Sequence, residues 1–461
     1  MSSDPALSGP EPGLGGPEPA LGSSAPVNVV DVPTRRIVSL AASAFVVLAA
    51  EPLFLLVDTA VVGHLGRIEL AALGAAGTVM TMLTVLGTSL EYGTTGRAAR
   101  YYGAGRRSAA VNEGVQASWL ALWIGLLAVL VGQLVARPVV QAITGGPGPV
   151  ADAATEWLRV AMLGLPGILI VLAGNGWLRG VQETRTPVRI VVVANALSAA
   201  ASPLLVYPAG LGLTGSAIAN VLAQWVGAVL MLRAIRAEGV PIAPDWKVMR
   251  AQLVVSRDLV VRALAFQAAY LTAAGAAGRM GAAELAAHQV GLLLWTFIAL
   301  LLDSFAIAAQ ALIGAALGGG AVAAAKRTAW RVSRYGFTAG VVFGAVMAAG
   351  WYLIPTLFTS DEGVRGQLHV LWPWLVCMMP VAGIVFALDG VLLGAGDNAF
   401  IRTVTVVAAL GGFVPMCLLA LWLDWGLAGV WAGLAAFIGL RFVGMVWRTW
   451  TGRWLVVGEQ R

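Results

Sequence analysis

Charged residues, cysteine and histidine are all scarce in this sequence. Of its 461 residues, 11% are charged and 59% are hydrophobic, and only two are cysteine and three are histidine. These few cysteines and histidines have no spacing typical of a zinc site or a disulfide framework, so we predict neither. A soluble fold could not shield this much apolar surface from water, and the composition therefore predicts a membrane protein.

Catalytic motifs are missing as well. The chain has no G-x-x-x-x-G-K-[ST] phosphate loop, which excludes ATP hydrolysis by this chain alone. H-E-x-x-H and Ser-His-Asp patterns do not stand out either, so we predict that the protein is not an enzyme and holds no cofactor. An ion gradient, of protons or of sodium ions, is then the expected energy source for transport.

Long apolar segments alternate with short polar loops along the chain. About a dozen windows between Ile37 and Trp447 are long enough to cross a hydrocarbon core about 30 Å thick. We therefore predict an all-α membrane protein with twelve transmembrane helices, embedded in the lipid bilayer of the inner (plasma) membrane.

Basic residues gather in every second loop. Only Arg67, Arg137, Arg159, Arg279 and Arg365 of the 29 basic residues fall on the opposite side. This asymmetry predicts that both termini are cytoplasmic. Because the net charge of +6 is spread over separate loops, we predict no nucleic-acid partner.

The sequence contains an internal repeat that indicates a duplication. Residues 63–72 (GHLGRIELAA) return 215 residues later as 278–287 (GRMGAAELAA), 103–105 (GAG) return as 318–320 (GGG), and 212–215 (GLTG) return as 426–429 (GLAG). Two parallel six-helix repeats facing a central cavity suit alternating access, and we predict two pseudo-symmetric six-helix bundles. The predicted segments are a disordered cytoplasmic tail (1–34), an N-terminal lobe (35–236), a cytoplasmic linker (237–252), a C-terminal lobe (253–450) and a cytoplasmic tail (451–461).

Acidic residues inside the apolar windows are the main functional candidates, because charge within a membrane is costly. Glu51 and Asp58 lie seven residues apart on the first helix, hence on one face and roughly 10 Å apart. A low-dielectric environment favours a neutral carboxyl group, so Asp58 is predicted to bind and release a proton. Pro52 breaks a backbone hydrogen bond and is predicted to act as a hinge beside Glu51.

The sequence gives less support for a functional role of the other acids inside or near the apolar windows. Asp303 is either a second coupling site or a packing residue near the inner end of its helix. Glu91 and Asp389 lie where helices leave the membrane and are expected to be solvated or salt-bridged. Arg97 and Arg100 are the expected partners of Glu91.

Several motifs together resemble the multidrug and toxic compound extrusion (MATE) family, in its DinF-like branch. They are residues 51–66 (EPLFLLVDTAVVGHLG), 92–96 (YGTTG), 102–105 (YGAG), 177–187 (WLRGVQETRTP), 286–289 (AAHQ), 302–306 (LDSFA) and 310–314 (QALIG). The resemblance implies an exporter of amphipathic, often cationic compounds that exchanges them for protons or sodium ions. It also implies that Asp58 couples the ion, and that Glu51 and Asn175 face the cavity of the N-terminal lobe.

This chain departs from the family at two positions. Ser202 stands where relatives usually carry an acid, with Ser198 one turn earlier, and Gln310 stands where many carry Glu. Glu51 is a hypothetical substitute for the missing acid. We place the substrate cavity at Glu51, Asp58, Asn175, Asn195, Ser198 and Ser202, with Asp303, Gln289 and Gln310 as secondary candidates.

The sequence therefore favours a secondary antiporter that works as a monomer on small amphipathic substrates. One rival is a lipid-linked oligosaccharide flippase, which needs cations facing the cavity to hold a pyrophosphate. Arg159, Arg262 and Arg441 are the candidates for that role. The other rival is a channel or a non-transporting membrane scaffold.

Overall fold

A computed structural model describes residues 33–459, apart from the side chain of Glu51. Most of the N-terminal tail predicted for residues 1–34 lies outside the described residues. The helices are α1 (Thr34–Gly63), α2 (Arg67–Gly103), α3 (Arg107–Thr144), α4 (Pro149–Met162), α5 (Leu165–Gly180), α6 (Arg185–Val206), α7 (Gly212–Arg236), α8 (Trp246–Met280), α9 (Ala282–Gly318), α10 (Val322–Ala349), α11 (Leu353–Phe358), α12 (Glu362–Gly394), α13 (Asn398–Ala408), a π-helical turn (Ala409–Phe413), α14 (Val414–Trp422) and α15 (Gly426–Trp450).

The predicted all-helical membrane fold is confirmed. Within residues 33–459, eleven helical segments are long and apolar enough to span a membrane, with α13, the π-helical turn and α14 forming one of them. The broken pair α4 and α5, which bends by 48°, completes twelve if it crosses as a single span. Pro166 at the start of α5 lacks a backbone N–H and favours a new helix start at this break.

The duplicated motifs adopt the same local structure in both halves. Gly66 and Gly281 precede α2 and α9, which are each 37 residues long and carry a glutamate in the first turn. Gly105 and Gly320, which follow these two helices, have the same left-handed φ of 76°. Only glycine adopts this conformation at little cost, which explains why the motif keeps it in both copies.

The two halves pack alike and meet along a shared interface. In each half the second helix packs on the helix of the fourth span, as α2 does on α5 and α9 on α12. Across the interface, α2 contacts α8 and α9, while α1 contacts both α6 and α9. The first turns of α1 contribute Ile37, Leu40 and Ala41 to the hydrophobic core of the C-terminal lobe. Helix α1 therefore bridges the two lobes.

The predicted linker is shorter than residues 237–252. Helix α8 begins at Trp246, because Asp245 caps it by accepting hydrogen bonds from the backbone N–H groups of Lys247 (2.9 Å) and Val248 (3.4 Å). Only residues 237–245 connect α7 to α8 without helix. The apolar window that suggested a start at Leu253 marks the hydrocarbon-facing part of a longer helix.

Candidate functional site

Asp58 lies in a buried polar site between three helices of the N-terminal lobe. Its side chain is on α1 and is 3% exposed. Ser202 on α6 donates a hydrogen bond to one carboxylate oxygen at 2.8 Å, and Ser216 on α7 donates to the other at 2.9 Å. Trp157 on α4 extends the network by donating from Nε1 to the Ser216 hydroxyl at 3.3 Å.

This arrangement can accommodate either protonation state of Asp58. A hydroxyl group is both a donor and an acceptor, and it rotates to suit its partner. The ionised carboxylate accepts from both serines, whereas the protonated acid can donate to one of them. Ser202, at the position where relatives carry an acid, thus contacts Asp58 directly.

The absence of an arginine partner distinguishes Asp58 from the other buried acids. Six acidic side chains are buried in the part of the chain that the structure describes, and the other five pair with arginine. These pairs are Glu91 with Arg179, Glu113 with Arg97, Asp258 with Arg257 and Arg402, Asp389 with Arg262 and Arg441, and Asp397 with Arg448. Protonating any of those five would deprive an arginine of its counter-ion, which costs most where the arginine is also buried, as Arg179 and Arg441 are. Protonating Asp58 would not.

The other predicted N-lobe residues differ in their surroundings. Ser198 and Asn175 are each 2% exposed, and among the described residues neither the Ser198 hydroxyl nor the Asn175 Oδ1 has a hydrogen-bond partner. Asn195 is partly buried and donates to the carbonyl of Val191 on its own helix at 2.9 Å. These predicted cavity residues are largely enclosed in this conformation rather than open to solvent.

Two further N-lobe predictions concern α1 itself. Helix α1 runs unbroken through Pro52. The side chain of Glu51 lies outside the described residues, so its proposed substitution for the missing acid stays a prediction.

Asp303 on α9 lies at the interface between the lobes. The hydroxyl of Tyr92 on α2 donates to its carboxylate at 2.5 Å, and both residues are partly buried. Gln310, two turns further along α9, donates to the backbone oxygen of Tyr92 at 2.6 Å. Gln289, the third secondary candidate, is exposed and does not join this group. Asp303 thus has a cross-lobe partner that the sequence did not suggest.

The partners of Glu91 and Asp389 are also set by tertiary packing. Glu91 forms its ion pair with Arg179 on α5, whereas Arg97, one of its expected partners, binds Glu113 in a two-bond contact of 2.7 and 2.8 Å. Asp389 on α12 lies between Arg262 and Arg441, and both guanidinium groups also stack near Phe266. Both acids are buried and salt-bridged rather than solvated.

The C-terminal halves of α2 and α9 pack closely against each other where the two lobes meet. We call this contact the inter-lobe seal. Arg100 on α2 is 2% exposed and donates to the backbone oxygens of Ala395 (2.7 Å), Gly458 (2.7 Å) and Val456 (3.1 Å) of the C-terminal lobe. Gly314 on α9 lies against Ala99 of α2, where it allows close approach of the two helices.

Comparisons with known proteins agree with this architecture. A family model described as MatE matches residues 43–204 and 259–418. The chain is 31% identical over 437 residues to Protein DETOXIFICATION 44, chloroplastic, of Arabidopsis thaliana, covering 91% of this chain and 83% of that protein. It is 32% identical over 417 residues to DNA damage-inducible protein F of Escherichia coli (strain K12), covering 86% of this chain and 88% of that protein.

Solved structures show the same fold. A crystal structure of a MATE protein in a bent conformation superposes with a TM-score of 0.85 at 21% identity, covering 93% of this chain and 97% of that one. An outward-facing multidrug resistance MATE transporter gives 0.83 at 21% identity over the same shares. The family match and the E. coli relative confirm the resemblance drawn from the motifs. The chain belongs to the MatE family of multidrug and toxic compound extrusion transporters, as a DinF-like member.

Proposed function

We propose that this transporter is a proton-coupled antiporter that exports amphipathic, often cationic compounds, and that Asp58 carries the coupled proton. The observation that supports this most directly is the hydroxyl cage of Asp58, a buried carboxyl without an arginine among its described neighbours. A cationic substrate and a proton would then compete for the same ionised carboxylate. Each need only favour one conformation to drive the exchange.

The hydroxyl groups around Asp58 suit a proton as the coupled ion. Hard cations prefer a shell of several oxygen ligands, whereas a proton needs one carboxylate and a neighbour that can change its hydrogen bond. Ser202 and Ser216 meet the second requirement.

Helix α1 offers a route from Asp58 to the lobe interface. Its start packs in the core of the C-terminal lobe, and Asp58 lies near its other end against α6 and α7. A change in the hydrogen bonds of Asp58 would therefore alter a helix that both lobes hold. We propose that the protein works as a monomer in the plasma membrane, with both termini cytoplasmic.

The flippase alternative finds less support. Arg262 and Arg441 are both engaged by Asp389, and Arg159 is exposed on α4. A pyrophosphate site needs cations that can turn to the ligand, and Arg262 and Arg441 are neutralised in part by their shared carboxylate.

The test is dye transport in proteoliposomes under an imposed proton gradient. Purified wild type should accumulate ethidium against its gradient, and Asp58→Asn should abolish this accumulation while leaving the protein monodisperse. Asp424→Asn is the matched control, since Asp424 is exposed and its φ of 51° suits asparagine.

Three results would argue against the assignment. Active accumulation by Asp58→Asn would exclude Asp58 as the coupling group. Accumulation driven by a sodium gradient alone would exclude proton coupling. Rapid flux without any imposed gradient would favour a channel. Unchanged transport in Glu51→Gln would remove the hypothesis that Glu51 replaces the missing acid.

A further inference from the structure

A groove on the periphery of the C-terminal lobe, away from the N-terminal lobe, has the features of a binding site. It encloses about 630 Å³ between α10, α12 and α15. Lys326, Trp330, Arg334 and Phe337 line one wall, at intervals of three or four residues that place them on one face of α10. We call it the basic-aromatic groove. Its volume lies within the range of sites that enclose a small-molecule ligand.

The described lining of the groove carries positive charge and no acidic side chain. Lys326 and Arg334 are both exposed, and the lining residues include no aspartate or glutamate among the described part of the chain. Neither cation forms an ion pair with any acidic side chain of residues 33–459. Such a wall repels a cationic substrate and attracts a phosphate group.

Two exposed indoles flank these cations. Trp330 is 69% exposed and Trp450 is 87% exposed. Tryptophan prefers the boundary between lipid headgroups and hydrocarbon, where its ring is apolar and its N–H can donate. The floor is made by Trp454, which is 1% exposed and is turned under the groove by Gly452, whose φ is 69°.

The groove has the length of one leaflet. Lys326 and Phe337 are eleven residues apart on α10, which corresponds to roughly 16 Å along the helix, and half of a hydrocarbon core measures about 15 Å. Ile384 and Leu388 of α12 and Phe442 of α15 add apolar side chains to the lining. With the cytoplasmic termini that the loop charges predict, the basic end faces the inner leaflet.

We propose that the basic-aromatic groove binds one anionic phospholipid of the inner leaflet. Its phosphate contacts Lys326 and Arg334, the indoles of Trp330 and Trp450 flank the headgroup, and an acyl chain packs against Phe337, Ile384 and Leu388. A zwitterionic lipid carries a choline or ethanolamine cation that these basic side chains repel, so the site selects net negative charge.

Native mass spectrometry of the full-length protein tests this proposal, with dioleoyl phosphatidylglycerol and dioleoyl phosphatidylcholine as probes. Wild type should retain the first lipid in clear preference to the second. The double variant Lys326→Gln/Arg334→Gln should lose roughly ten- to thirtyfold in affinity for phosphatidylglycerol, since each cation near a membrane surface contributes about 1 kcal/mol. The charge-preserving Lys326→Arg/Arg334→Lys variant should bind nearly as wild type.

A matched pair controls for general surface charge. Lys247→Gln/Arg250→Gln removes two exposed basic side chains at the start of α8 and should leave phosphatidylglycerol binding unchanged. Inorganic phosphate at millimolar concentration should not displace the lipid.

Four outcomes would overturn the proposal. The first is equal retention of both lipids by wild type, and the second is unchanged binding by the Lys326/Arg334 double variant. The third is an equal loss in the control pair. The fourth is displacement by phosphate, which would indicate a site for a free anion instead of a lipid.

Discussion

Replacing Gly314 with alanine should open the inter-lobe seal. A Cβ atom at this position would lie 2.7 Å from the Cβ of Ala99 and 3.4 Å from the backbone oxygens of Gly96 and Gly394. Carbon atoms in favourable contact lie about 3.5–4.0 Å apart, so α2 and α9 must separate by roughly 1 Å. Overpacking of this kind costs about 1–3 kcal/mol.

This cost destabilises only the conformation in which α2 and α9 are in contact. If the protein transports by alternating access, the inter-lobe seal exists in one state and is broken in the other. A penalty of about 1–3 kcal/mol on the sealed state then shifts the equilibrium between the states by roughly 5- to 150-fold. If most wild-type molecules are in the sealed state, this shift produces a measurable increase in the open fraction.

Spin-label distances measure this shift directly. Ser108 and Ala323 are exposed and begin the helices that follow α2 and α9, so labels at Ser108→Cys and Ala323→Cys report the separation of the two helix ends. The exposed Cys377 must first be replaced by serine. In reconstituted protein, Gly314→Ala should transfer population from the shorter to the longer distance.

Gly77 supplies the matched control. It lies on α2, and a Cβ atom there would meet nothing within 4 Å. Gly77→Ala should leave the distance distribution unchanged and raise helix stability slightly, because alanine favours helix over glycine by about 1 kcal/mol. If Gly314→Ala and Gly77→Ala give the same distances, the close contact between α2 and α9 does not govern the conformational equilibrium.

Three further substitutions follow from the buried polar groups. Asp389→Asn should lower the free energy of unfolding in detergent by about 3–5 kcal/mol, because it leaves two arginines without their shared carboxylate. Arg441→Met should lower it by less, and equal losses in the two variants would contradict this order. Tyr92→Phe removes the cross-lobe hydrogen bond to Asp303 and should shift the same spin-label distances toward the longer value with little change in melting temperature, whereas unchanged distances would assign the bond to packing alone. Ser216→Ala should reduce gradient-driven dye accumulation while Ser216→Thr, which keeps the hydroxyl, should retain it; full activity of the alanine variant would exclude the second hydroxyl from coupling.

Hydropathy windows were sufficient to predict the fold class, because a helix that crosses a bilayer needs about 20 consecutive, mostly apolar residues. They were poor guides to helix ends. The second apolar window covers residues 69–90, whereas α2 continues to Gly103. Its last turns carry Arg97 and Arg100, which bury their charges against Glu113 and backbone oxygens. A hydropathy window counts these arginines as solvent-facing and cannot anticipate such partners.

The proposed coupling site was only half predictable from the sequence. Asp58 stood out because an acid within an apolar window is costly, but Ser216 carries no such signal. Serine in a membrane helix usually bonds to the carbonyl four residues earlier, as Ser118 does here. The sequence signal that could have identified Ser216 was the comparison of the halves, since Ser216 aligns with the apolar Val430 and is therefore a polar residue that only the N-terminal half carries. Partners such as Arg179 for Glu91 and Tyr92 for Asp303 depend on tertiary packing that no local pattern records.

The duplication makes the difference between the lobes mechanistically informative. Both halves derive from one six-helix plan, yet Asp58 aligns with Ala273 and Asp303 aligns with Thr88. In the C-terminal lobe the buried acids Asp258, Asp389 and Asp397 all pair with arginine, and Asp389 lies between two of them, an arrangement that changes charge only at high cost. The N-terminal lobe holds Asp58 by hydroxyl groups alone. Under the proposed proton coupling, the N-terminal lobe therefore carries the acid that can change charge while the paired acids of the C-terminal lobe keep theirs, and α1, which packs in both lobes, connects Asp58 to the C-terminal lobe.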